Sequence, residues 1–151
     1  MTRKQFLLAS AAAAASRAWA ASRTEMGIAA TCYMTAWRPK DTYEFLEHCQ
    51  ALGAGGIQAS LASTDPAYLK KLRSRAEQAG MYLEFMIGLP KKDTSAFEAT
   101  VKAAEEAGGL CVRANCLPGR RYETFTSLDE WQQLNVEAYK AIDRALPIVE
   151  K

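Results

Sequence analysis

The 151-residue chain contains a single histidine, His48, and that scarcity limits the chemistry open to it. His48 lies in Glu44-Phe-Leu-Glu-His-Cys-Gln-Ala-Leu52, a helical pattern, which predicts a surface or interface position on the outer ring of helices. No His/Asp/Glu cluster capable of holding a divalent metal stands at the predicted strand ends. The four cysteines, Cys32, Cys49, Cys111 and Cys116, include no C-x-x-C pair, which argues against a structural zinc site. Nucleophile elbows and phosphate-cradling glycine loops are also missing. The apolar run from Phe6 to Ala15 is too short to span a bilayer, so no stable membrane insertion is expected.

That run has a different reading. Arg3 and Lys4 precede it, and Ala18-Trp19-Ala20 follows as an A-x-A cleavage site, the layout of a secretory signal peptide. Residues 1–20 are therefore expected to be removed near Ala20 on export to the periplasm, leaving 21–151 as one domain. Thr2-Arg-Lys-Gln-Phe-Leu7 resembles a twin-arginine signal with Lys in place of the second Arg. The whole chain carries 19 basic and 17 acidic residues. Loss of Arg3, Lys4 and Arg17 leaves 16 against 17, so no basic face remains to attract nucleic acid. Export raises the question of disulfides. Three of the cysteines fall in predicted strands, and all four are expected to be buried free thiols in a domain large enough to have a core without them.

What the chain does have is a repeat. Short apolar runs occur at Ile28–Met34, Gly56–Leu61, Tyr82–Leu89 and Leu110–Leu117, each followed by a polar turn and an amphipathic stretch. Gly53, Gly80 and Gly108 close three of those stretches at intervals of 27 and 28 residues, the size of one βα unit. Asp41…Glu44, Ser95…Glu98 and Ser127…Glu130 read as helix caps with a reciprocal glutamate, and Asp65-Pro66 as a capping acid before a first-turn proline. The fourth helix is expected to end or kink at Pro147.

Strands alternating so evenly with helices must be parallel. A doubly wound sheet and a (β/α)₈ barrel both fit. Thr35-Ala-Trp-Arg-Pro-Lys-Asp41 lacks the glycine-rich turn of a nucleotide-binding open sheet, and the uniform unit length suits a closed ring. The expectation is the first four βα units of a (β/α)₈ TIM barrel, incomplete at about half the length a closed barrel needs. Half a barrel would leave two strand edges exposed, a template for a homodimer or for aggregation.

Barrel active sites form at the C-terminal ends of the strands. That rule selects Tyr33, Trp37 and Arg38 after the first strand, Gln58 and Ser60 on the second, Glu84 on the third, and Arg113 and Asn115 on the fourth. Glu84 sits in an apolar run, where a charge is costly unless paired, so it is either a sugar-hydroxyl acceptor and acid/base or a structural ion pair with Arg113. The planar fork of Arg113 can hold a carboxylate or phosphate. Gln58 is a candidate hydrogen-bond partner for a sugar, Trp37 a stacking wall, and Arg120 an anion contact from the loop that follows. Substrate binding is thus assigned to Gln58, Glu84, Arg113, Arg120 and Trp37, with no metal ligand.

Phe45-Leu-Glu-His-Cys-Gln-Ala-Leu-Gly-Ala-Gly-Gly-Ile-Gln58 and Gly109-Leu-Cys-Val-Arg-Ala114, behind the Thr2–Leu7 signal, resemble exported sugar phosphate isomerase/epimerase-like proteins, which are xylose-isomerase-like TIM barrels. The resemblance spans about Met26 to Lys151. It implies a sugar or sugar phosphate substrate and proton transfer next to a carbonyl, assisted by a divalent metal (Mn, Mg, Co or Zn). The family's metal ligands lie on strands five to eight, so none is carried onto this chain, and the fragment alone is expected to be inactive. The alternatives are a non-catalytic exported sugar-binding protein and a relative of the apurinic endonucleases, which share the barrel.

Overall fold

The computed structural model describes residues 24–33, 37–117 and 121–150, with the backbone alone at 121 and 122. The expected signal segment and Arg120 lie outside the described residues. Four strands alternate with helices: β1 (Gly27–Ala29), α1 (Thr42–Ala51), β2 (Gly56–Ser60), α2 (Pro66–Ala79), β3 (Tyr82–Ile87), α3 (Ser95–Glu106), β4 (Gly109–Ala114), α4 (Arg121–Thr124) and α5 (Leu128–Val149). The strands form one parallel sheet in the order β1-β2-β3-β4. Winding never reverses, as it would at the switch point of a doubly wound sheet.

Local chemistry starts and stops the helices. Asp41, Asp65 and Ser127 each cap a helix by accepting from the amide three residues on, at 2.8, 3.0 and 3.2 Å. Glu130 reaches back to the Thr126 amide, closing a reciprocal cap. Pro66 occupies the first turn of α2, where a missing N–H costs nothing. Gly80 ends α2 in the left-handed region at φ 59°, and Gly53 and Gly108 take φ 78° just past α1 and α3. An L side chain is strained there, so the glycine spacing in the sequence marks the helix ends.

Three local expectations need correction. Ser95 is the first residue of α3 rather than its cap; the Asp93 carboxylate accepts from the Ser95 amide at 2.9 Å instead. The first strand is less than half the predicted length, because the chain turns at Ala30 into a 3₁₀ turn over Ala30–Tyr33. There the Tyr33 ring meets Phe45 edge-on, with centroids 5.9 Å apart. Finally, of the two outcomes expected at Pro147, a helix end is excluded, because α5 continues past it to Val149. Pro147 lacks the one N–H it would donate to the preceding turn, but bonding resumes beyond it, the Glu150 amide donating to the Leu146 carbonyl at 3.1 Å.

Strand alternation divides the sheet into two faces. Ile57, Ala59, Leu83 and Phe85 point to one face and join Phe45, Leu46, Cys49, Leu69, Leu72 and Ala104 from α1, α2 and α3 in a single core. Those three helices therefore cover the same side of the sheet. Fully burying each large apolar side chain contributes about 1.5–3 kcal/mol. Cross-ties hold the layer in register. Arg75 on α2 donates to Glu47 and Gln50 on α1, and the Arg75 guanidinium holds the Glu47 carboxyl below its usual range. Buried Thr42 donates to the Ser60 carbonyl at 2.8 Å and accepts from the Ala62 amide at 3.1 Å, fastening the start of α1 to the C-terminal end of β2.

The cysteines also depart from expectation. All four are free, but only Cys49 is buried; Cys32, Cys111 and Cys116 are exposed. Cys32 sits on the 3₁₀ turn rather than in a strand, and Cys111 projects from an edge strand on the face without helices.

Candidate functional site

The uncovered face is built from the other half of the alternation. Gly27, Gly56 and Tyr82 stand abreast near the strand starts; Ala29, Gln58, Glu84 and Cys111 form the next row; Ser60, Met86 and Arg113 approach the C-terminal ends. A register shift between Leu83 and Glu84 skips Leu110 and places Cys111 opposite Glu84. Leu110 is pushed outward as a result, 71% exposed.

Near the strand starts this face is closed by an aromatic ring. The Tyr82 side chain packs so tightly over Gly56 and Gly27 that a Cβ at Gly56 would lie 2.5 Å from ring carbon Cγ, and one at Gly27 2.5 Å from the hydroxyl. The two glycines make room for Tyr82, which lies beneath the polar row.

The polar row is wired through an amide. Gln58 Nε2 donates to Glu84 Oε2 at 2.9 Å, and Arg113 Nη1 donates to Gln58 Oε1 at 2.8 Å. Only one orientation of the Gln58 amide satisfies both bonds. Glu84 and Arg113 thus communicate through Gln58 rather than as the direct ion pair expected between neighbouring strands. Glu84 and Gln58 are half-buried, whereas Arg113 is exposed. Cys111 senses the same group: desolvation first, then the charge and hydrogen bonding of Glu84, push its thiol above the usual range.

At the C-terminal ends of β2, β3 and β4 a cavity of about 170 Å³ opens between Ser60, Met86, Ile87, Gly88, Arg113 and Asn115. The strand-end rule therefore brings together Gln58, Ser60, Glu84, Arg113 and Asn115. Trp37 belongs to a different cluster. Its ring lies against His48, centroids 4.5 Å apart and tilted by 39°, and meets Tyr33 edge-on at 5.3 Å, packed against the helix-side core. His48 is accordingly half-buried between aromatic rings, not free on the outer surface. Sequence reasoning overlooked Cys111, Gly88 and Tyr82. Cys111 was legible: it precedes Arg113 by two residues, and strand period places both on one face.

The family resemblance implies a divalent metal. Among the described residues no three His, Cys, Asp or Glu side chains converge, and Glu84 is the carboxylate of the polar row. These residues do not fit a complete ligand set, so no chemical step is assigned to a metal. Among the described residues no helix is long and apolar enough to cross a membrane. No protein-family model matches the chain, nor does any curated protein or solved structure.

Proposed function

We propose that this chain is the first half of a (β/α)₈ barrel of the sugar phosphate isomerase/epimerase kind, carrying substrate-binding groups of its site. The observation that supports the reading best is the Glu84–Gln58–Arg113 chain of hydrogen bonds on the helix-free face of a singly wound parallel sheet. In a closed barrel that face becomes the interior, and the C-terminal strand ends become the mouth.

The chemistry suits a polyhydroxylated ligand. Glu84 can accept from a sugar hydroxyl, Gln58 can both donate and accept, and Arg113 can donate to a carbonyl or anionic oxygen. Proton transfer next to a carbonyl needs a base within hydrogen-bond reach, and Glu84 is the candidate in this half. The remaining catalytic groups would come from strands outside these four, so the chain alone binds and does not turn over. Export through residues 1–20 belongs to the same proposal, as does pairing of the open sheet edges in a homodimer. The partner is a small sugar or sugar phosphate rather than nucleic acid.

Proton NMR in D₂O tests this directly. Aldoses, ketoses and their phosphates are mixed with the purified chain, and saturation transfer from protein to sugar is read beside deuterium uptake at the carbon next to the carbonyl. The expected result is saturation transfer that Glu84→Gln weakens, without deuterium uptake. No transfer to any sugar in the panel would sink the proposal.

A further inference from the structure

Among the described residues, the cavity at the strand ends is lined by one cationic side chain and no carboxylate. Its polar lining residues are Ser60, Arg113 and Asn115, whose side chains are donors or can act as donors. Arg113 uses Nη1 on Gln58, and its other N–H groups have no partner among the described residues. The bond to Gln58 orients the guanidinium without neutralising it, because a neutral amide stands between it and Glu84. A direct bidentate pair with Glu84 would have consumed the fork and cancelled the charge.

The fourth wall is backbone. Gly88 lines the cavity, and a Cβ placed on it would meet no atom of the described residues within 4 Å, so a side chain has space there. Met86 and Ile87 complete the lining. At about 170 Å³ the space suits a single small group rather than a whole sugar ring with its substituents.

We propose that this cavity is an oxyanion subsite. It takes the phosphate or carboxylate of the substrate, so the ligand of the open face is an anionic sugar derivative, not a neutral sugar. This inference rests on the sugar-binding reading above and adds to it the charge of the ligand and the end at which it is gripped. Arg113 supplies the charge-assisted fork, Ser60 and Asn115 the lateral hydrogen bonds, and Gly88 the room.

Inorganic phosphate and acetate, titrated separately into the full chain, are the probes, with ¹H–¹⁵N NMR as readout. Saturable shifts at the Gly88 and Asn115 amides are expected with at least one of them. Preference for phosphate indicates a sugar phosphate, and preference for acetate a sugar acid. Arg113→Gln and Gly88→Val should each weaken binding at least tenfold, while Arg73→Gln on the exposed face of α2 should not. Gly88→Val keeps the test sound if Arg113→Gln perturbs the fold, since it fills the cavity from a position with free space around it. Absence of saturable shifts, or affinity unchanged in both cavity variants, overturns the subsite. A neutral aldose that binds the open face while neither anion binds also overturns it, yet leaves the sugar reading intact. Anion binding without any sugar binding does the reverse.

Discussion

Tyr82 occupies the space that a side chain at Gly56 would need. Both belong to the same row of the parallel sheet, Gly56 paired with Tyr82 across β2 and β3, and a Cβ on Gly56 would overlap the ring at 2.5 Å. The ring closes the strand-start side of the uncovered face, directly below Gln58 and Glu84. Packing and site geometry are therefore coupled: whatever displaces Tyr82 disturbs the row that carries the polar chain.

Gly56→Ala should accordingly destabilise the protein by about 1–3 kcal/mol, the range for overpacking a filled site. In a double-mutant cycle the Tyr82→Ala background should remove most of that penalty, since the clash partner has gone. Urea denaturation of the four proteins measures the coupling. Additive effects would mean that the two residues do not compete for space.

Much of the architecture could be read from residue spacing. The glycines at 53, 80 and 108 and the caps at Asp41, Asp65 and Ser127 are local devices, complete within a few residues, and they appear where their spacing predicts. The early end of β1 has a tertiary cause: Tyr33 packs on Phe45 and Trp37, and nothing in residues 28–34 announces that. The same cause hid the place of Trp37, assigned to the sheet's mouth but packed against His48. Gln58, Glu84 and Arg113 were legible as a group because strand period and strand ends are local rules. The intervening amide was not, since it depends on register between three strands. Exposure of Cys111 depends on β4 being the edge of the sheet, and that of Leu110 on the register shift between β3 and β4; spacing within one strand can show neither.

Cys49 sets a pH limit on stability. It is buried between α1 and the sheet, and desolvation, with a smaller contribution from Cys32, pushes its thiol up from 9.0 to about 11. Below pH 9 both folded and unfolded chains keep the proton, and this group is neutral in the balance. Between 9 and about 11 the unfolded chain releases the proton while the native chain retains it, so stability falls as pH rises. The loss is on the order of 2 kcal/mol by the top of that window. Cys49→Ala should flatten this part of the curve, as measured by urea midpoints from pH 8 to 11. An identical decline in the variant would assign the effect to other groups.

The β4 edge makes oligomeric state a test of the proposed architecture. Beside it lies a groove of about 400 Å³ whose apolar lining includes Val101, Leu110, Val112, Ile148 and Val149. An unpaired edge with apolar flanks is a template for strand addition unless a charge blocks it. A second copy pairing there should give a dimer by sedimentation velocity, and Leu110→Lys should shift it to monomer. The substitution is conservative for the fold, because the Leu110 side chain is mostly exposed already. A wild-type chain that stays monomeric across the micromolar range would remove the homodimer from the proposal.

Cys111 offers a reporter for the charge on Glu84. The two stand opposite each other across β3 and β4, and after desolvation the Glu84 carboxylate is the next cause holding the thiol up. Glu84→Gln removes the negative charge but keeps a side-chain oxygen that can accept from Gln58 Nε2. The Cys111 thiol should then fall toward its ordinary range, raising the thiolate fraction at pH 8 and speeding alkylation by a few-fold, given that thiolate is the reactive form. Cys116, exposed and beyond the end of β4, serves as the internal control, with peptide mass spectrometry separating the sites. An unchanged Cys111 rate would mean that the carboxylate does not bear on the thiol. Slower alkylation would point to a rearranged row, with the substituted side chain no longer holding Gln58 against Arg113. The predicted acceleration would place a negative charge beneath the open face, where the hydroxyls of a bound sugar would meet it.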